Sequence, residues 1–97
     1  LSLKDKIVAV LRTVEDPEVR QDVYTLNLVY DINIDEERGS VDLKFRPTIP
    51  NCPIGVQLAI AIKKALLDLP EVKHVDLTVT DFYMAEAANQ YLKMMDG

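Results

Sequence analysis

One cysteine, one histidine and three scattered glycines leave this 97-residue chain without the commonest catalytic and metal-binding constellations. A single thiol cannot form an internal disulfide, and nothing points to an oxidising compartment. No Cys-x-x-Cys pair or His/Cys cluster supplies the four ligands of a closed zinc site. Cys52 and His74 are far apart in sequence, so a Cys–His nucleophile pair would need the fold to join them. Gly39, Gly55 and Gly97 are too dispersed for a phosphate-cradling loop. A self-contained hydrolase or metalloenzyme is not expected, and the chain reads as a non-enzyme.

A basic excess is missing as well. Eleven Lys and Arg against sixteen Asp and Glu give a net charge of -5, with Lys63-Lys64 the one adjacent basic pair. Nucleic-acid binders need a basic face to displace counterions, so no nucleic-acid partner is expected. Long apolar runs are absent, and Lys4, Asp5 and Lys6 break up the N-terminus, so neither a leader nor a membrane span is expected. The expected location is cytoplasmic. What is present is 48% hydrophobic and 28% charged residues, ordinary for one globular domain over residues 1–97.

The hydrophobic periodicity sets the order of elements. Leu3, Ile7, Val10, Leu11 and Val14 recur at helical spacing, and the helix should end near 14–16, before Pro17. Glu15-Asp16-Pro17-Glu18 follows as an acidic turn. It reads either as a helix stop with a solvated loop or as two carboxylates, Asp16 and Glu18, facing a site or partner. From 23 to 35 the period is two, with Leu26, Leu28, Tyr30, Ile32 and Ile34 on one face. Val41, Leu43 and Phe45 alternate with Asp42, Lys44 and Arg46, which completes an antiparallel hairpin. A heavily apolar helix is expected over 54–69, with Lys63, Lys64 and Asp68 on its wet side. Val75, Leu77 and Val79 form a third strand, with His74 on its polar face. A last helix over 84–95 carries Met84, Ala88, Tyr91, Leu92 and Met95 on one side. That stripe either packs on the sheet or offers an adaptable partner surface.

The resulting fold class is α+β, a two-layer α/β arrangement in the order helix-strand-strand-helix-strand-helix. A three-stranded mixed sheet carries its helices on one face. The helix between the second and third strands allows these two to run parallel. The other sheet face, with Asn27, Asp31, Asn33, Asp42, Lys44, His74, Asp76 and Thr78, should be wet or meet a polar partner.

Between hairpin and second helix lies Arg46-Pro47-Thr48-Ile49-Pro50-Asn51-Cys52-Pro53, with three of the five prolines and the one cysteine. Proline at a first helical position loses no hydrogen bond, so Pro53 is expected there, with Cys52 or Asn51 as the N-cap. A thiol beside unpaired helix-start N–H groups favours its thiolate. Arg46, the nearest cation in sequence, is too remote to count on. From its residue type alone, Cys52 remains either a functional thiol or a small buried hydrophobe.

The Asp16-Pro17-Glu18 turn, the 23–30 stretch Val-Tyr-Thr-Leu-Asn-Leu-Val-Tyr and the Thr48-x-x-x-Cys52-Pro53 loop, in this order and spacing, resemble the PaaD/SufT-like family of iron–sulfur cluster assembly factors. The resemblance implies the α/β element order above and a role in building or delivering clusters. It puts Cys52 at the family's cysteine, Thr48 at the threonine of the same loop, and Asp16 and Glu18 in the acidic turn. Thr25 and Asn27 stand where such proteins commonly carry Asp and Gly, at a bend in the backbone. After the last strand, Asp81 leads into Phe82-Tyr83-Met84 rather than an Asp-Pro-x-Trp-like stretch.

Iron–sulfur clusters usually take four thiolates, and one chain offers one. The cofactor expected is therefore a transient cluster shared with a second subunit or partner, with none stably held by one chain. Cys52 would be its metal ligand, with Thr48 beside it. The partners implied are apo iron–sulfur proteins or the assembly machinery, and a homodimer is one way to double the thiols. The rival readings are an accessory, non-catalytic subunit of an oxygenase-type complex and a KH-like nucleic-acid module. The second lacks its Gly-x-x-Gly loop.

Overall fold

The computed structural model describes residues 2–48 and 54–95. Helix α1 (Leu3–Leu11) starts at Ser2, whose hydroxyl accepts the Asp5 N–H at 3.2 Å as an N-cap. It buries Leu3, Ile7 and Leu11 and ends earlier than the 14–16 expected. The N–H groups of Thr13 and Val14 bond three residues back, which tightens the last turn and releases the chain. The acidic turn is then neither helix end nor plain loop. It joins β1 (Glu15–Asp16) to β2 (Gln21–Asp22), a two-stranded antiparallel sheet that periodicity could not reveal.

Residues 23–28 also depart from expectation, because they form a helical turn rather than the start of a strand. The Thr25 N–H caps onto Asp22 Oδ2 at 2.8 Å. The Leu28 N–H reaches the Val23 carbonyl and the Asn27 N–H the Tyr24 carbonyl, the paired bonds of a Schellman ending. Asn27 takes the left-handed position, φ 58°, that glycine usually fills there. The bend is thus made by asparagine.

The main sheet has the order β3-β4-β5, with β3 (Val29–Asp35) antiparallel to β4 (Ser40–Phe45) and β4 parallel to β5 (His74–Val79). The mixed sheet expected from the sequence is therefore observed. Its inward face carries Val29, Val41, Leu43, Phe45, Val75, Leu77 and Val79. One phase correction is needed. The β3–β4 register slips between Tyr30 and Asn33, where Asp31 has φ 50°. Such a bulge inserts one residue and inverts the alternation. Tyr30 consequently lies opposite Lys44 on the polar face, not with Ile32 and Ile34, and Val29 takes the inward place opposite Phe45.

Helix α2 (Gly55–Leu67) joins the two parallel strands and buries Leu58, Ala59, Ile62 and Leu66. It packs with α1 and β5 over the inward face. Lys63, expected on its wet side, is 1% exposed. Helix α3 (Ala85–Met94) covers it, and the Lys63 Nζ donates to the Leu92 carbonyl at 2.5 Å. That carbonyl, in the last turn of α3, also takes the Met95 N–H at 3.2 Å, and a helix C-terminus suits a cation. On the next turn of α3, Asn89 receives the Val79 N–H at 2.6 Å and donates to the Val79 carbonyl at 3.2 Å. One amide side chain thereby serves both backbone groups of an edge-strand residue.

Candidate functional site around the acidic turn and Thr48

Asp16 is the most unusual residue among those described. It is 1% exposed, the one buried carboxylate in them. Burying a charge is costly unless it is fully hydrogen-bonded, and here both oxygens are used. Oδ1 accepts the Glu18 N–H at 2.9 Å, the local bond of an Asx turn, and Oδ2 accepts the Thr48 hydroxyl at 2.8 Å. The Asp16 carbonyl also takes the Arg20 N–H at 2.7 Å, with Arg20 itself at φ 58°. The turn is therefore held from three directions. Glu18 gives its backbone N–H to Asp16, and its side chain is exposed.

The 32-residue separation between Asp16 and Thr48 is closed because β4 runs back beside β3. The Arg46 N–H bonds the Leu28 carbonyl at 2.7 Å, which extends the hairpin by one rung before Pro47 turns the chain. Thr48 then reaches the acidic turn. Downstream, Pro17 shares a cleft of about 140 Å³ with Ile54, Gln57, Leu58 and Ala61 at the start of α2. Cys52 falls within that stretch, outside the described residues, as do Asn51 and Pro53. The expected helix start needs correction all the same: α2 begins at Gly55 with Ile54 as its N-cap, without a side-chain cap bond. Gly55 suits this start because a Cβ there would meet the Phe82 ring at 2.8 Å.

A second groove, of about 250 Å³, opens beside Thr48 and is lined by Leu26, Leu28, Arg46, Pro47 and Asp81. The guanidinium of Arg46 stacks over the Tyr30 ring at 5.2 Å and reaches Asp81 at 3.9 Å. The Tyr30 hydroxyl bonds that of Thr80 at 2.6 Å. Sequence reasoning missed this groove. Its structural mark is Asp81, two residues beyond β5, at φ 51°, a conformation that no residue pattern announced. Among the described residues no three His, Cys, Asp or Glu side chains group as a metal site. His74 is exposed on the polar sheet face, as expected.

This arrangement is an α+β scaffold whose acidic turn holds Thr48, just after the hairpin. Residues 4–79 match the pattern of the iron-sulfur cluster assembly protein family, and the chain belongs to that family. The "Fe-S protein maturation auxiliary factor YitW" of Bacillus subtilis is 38% identical over 78 residues, covering 80% of this chain and 76% of that protein. The "Fe-S protein maturation auxiliary factor SufT" of Staphylococcus aureus is 33% identical over 64 residues, 66% of this chain and 72% of its own length. Among solved structures, a domain of unknown function, DUF59, from Bacillus anthracis superposes with a TM-score of 0.72 at 29% identity. The superposition covers 95% of this chain and 92% of the other.

Proposed function

We propose that this protein is an iron–sulfur cluster assembly or maturation factor, and that the Cys52 thiolate ligates iron or a cluster in transit to apo-proteins. The observation that carries the reading is the Asp16–Thr48 bond, which holds the chain four residues before Cys52. A ligand that must accept cargo and release it benefits from a fixed frame around it, since ordering is then not repeated at each encounter. Family membership supports the same reading.

The donor set decides the mode of action. One thiol per chain is far from the four thiolates a cluster usually takes, so the cluster is cargo and not a resident group. Cys52 supplies one ligand, and the acceptor, the assembly machinery or a small thiol supplies the rest. Replacing one thiolate by another on iron needs no change of oxidation state, so the protein works as a carrier or adaptor and not as a catalyst. Thr48 and Asp16 position the stretch, while Glu18, exposed at its edge, faces the partner. No described helix is long and apolar enough to cross a membrane. With no internal disulfide to protect, a reducing, cytoplasmic setting suits a free thiolate.

The test is anaerobic reconstitution with iron and sulfide, read by visible charge-transfer absorption. Wild type is expected to colour and Cys52→Ala to stay colourless. Equal colour in both, or none in either, contradicts the assignment of Cys52.

A further inference from the structure

The two edges of the main sheet are finished differently. On β5, Asn89 takes both backbone groups of Val79, and α3 packs alongside. β3, at the other edge, has no such cover, since no described segment outside the hairpin bonds the backbone of residues 29–35. The register shows which groups are left over. Gly39 and Phe45 turn their carbonyls to the β5 side, so Ser40 and Asp42, at the alternate positions of β4, face β3. Asn33 and Asp35, opposite Asp42 and Ser40, use their backbone groups inside the hairpin, and those of Ile34 point outward.

The side chains along this edge form a slot. The inward residues of β4 and β5 are buried, whereas Ile32 and Ile34 are only half-buried. A groove of about 380 Å³ runs between these two and α1, lined also by Lys4, Ile7, Val8, Tyr24 and Glu36. A strand added beside β3 would turn every second side chain into this groove and the others to the polar face. On that side the edge is acidic, because residues 31–37 hold Asp31, Asp35, Glu36 and Glu37 and no base. Lys44, 3.4 Å from Asp31, and Arg38, 3.8 Å from Asp35, offset part of it. This charge rejects a second copy of the strand. Antiparallel pairing about Asn33 sets Asp31 against Asp35 of the other copy, and parallel pairing sets each acid beside its counterpart. Like charges directly opposite are destabilising, and edge strands commonly carry charge for that reason. The same charge favours lysine or arginine at alternate places in a visiting strand.

We infer that β3 and the groove beside it bind an extended basic segment of a partner protein, with apolar residues alternating with Lys or Arg, as an added strand. The inference does not rest on the cluster reading. The added strand runs antiparallel, the more stable pairing per residue. Residues directly opposite in such a ladder share a face, so an apolar residue of the segment sits against Ile34 and exchanges both backbone bonds with it. Its side chain enters the groove beside Ile32 and Ile34, and the next basic side chain stands against Asp35.

NMR titration of the whole, isotope-labelled chain tests the inference. The probe is an end-blocked peptide of alternating valine and lysine, as long as β3. Binding is expected with a Kd on the order of 100 µM, as befits a contact below standard size. Shifts should centre on the β3 amides and on the methyl groups of Val8, Ile32 and Ile34, and the Ile34 amide should exchange more slowly with solvent. N-methylation of the peptide's valines, which removes their N–H groups and keeps every charge, is expected to abolish binding. Replacing its lysines by glutamate should do the same. Asp31→Asn combined with Asp35→Asn, both at exposed sites, is expected to weaken binding about fivefold, with the fold unchanged by circular dichroism. No binding at roughly 1 mM peptide overturns the inference. So does binding that survives N-methylation, that ignores the charge of the peptide, or whose shifts centre on another face. A wild-type chain whose β3 pairs with its own copy instead overturns it as well.

Discussion

The Asp16–Thr48 corner and the outer face of α3 break the usual sorting of side chains in opposite directions. At the corner a carboxylate is buried and every oxygen has a donor. On α3, tyrosines and methionines are left in solvent. The informative residues in a small protein are of these two kinds, because apolar inside and polar outside need no special cause. The difference between the regions lies in what the exception does. The corner uses a desolvated charge to fix one arrangement of the chain, which costs stability whenever a partner is removed. The α3 face leaves apolar area in solvent, and its removal should leave the fold alone.

That contrast can be broken by substitution. Asp16→Ala removes the acceptor shared by the Thr48 hydroxyl and the Glu18 N–H, and is expected to lower stability by about 3 kcal/mol in urea unfolding. Asp16→Asn, which keeps the shape and can still bond both partners, should cost less than half of that. If Asp16→Ala unfolds like wild type, the corner is not a fastening. Next in size, Asn89→Ala takes both bonds from the backbone of Val79 and is expected to cost about 2 kcal/mol. Asn89 sits on the same ten-residue helix as Tyr91, yet Tyr91→Ser should stay within about 0.5 kcal/mol. Equal costs at 89 and 91 would mean that α3 has no free face.

The smallest effect is expected at a site outside both regions. The Lys6 ammonium beside Glu71 holds that carboxyl below its usual value of 4.5. A carboxyl whose folded pKa is depressed adds stability above its unfolded value and loses it as pH falls through the folded one. Lys6→Ala should therefore move the Glu71 titration, followed by NMR, upward. It should also destabilise slightly at neutral pH and not at all once both forms are protonated. High salt should erase the difference, since the pair is more than a third exposed.

The sequence made the order of elements legible because each amphipathic face is written in a single period. Ile7 and Leu11, Val41 to Phe45 and Val75 to Val79 needed no partner to be recognised. What stayed hidden depends on contacts between distant segments. Tyr30 continues the alternation of Ile32 and Ile34 in the sequence, and only the bulge at Asp31 separates them. Lys63 reads as a wet residue until the Leu92 carbonyl is placed over it. Asn27 carries a glycine's conformation without being glycine, which a residue-type rule discounts. At the site, the residue types of Asp16 and Thr48 were visible, but their bond spans 32 positions and no local pattern encodes it. The two-residue strands that carry Asp16 are likewise too short to show a period.

The proposed role needs one transferable ligand, Cys52, four residues beyond the Thr48 that Asp16 holds. The most direct measurement is anaerobic delivery, in which the reconstituted protein restores an apo iron–sulfur acceptor, compared across wild type, Thr48→Val and Cys52→Ala. The expected result is full delivery by wild type and none by Cys52→Ala. Thr48→Val, folded but without the Asp16 bond, should deliver more slowly. Delivery by Cys52→Ala at the wild-type rate would contradict it.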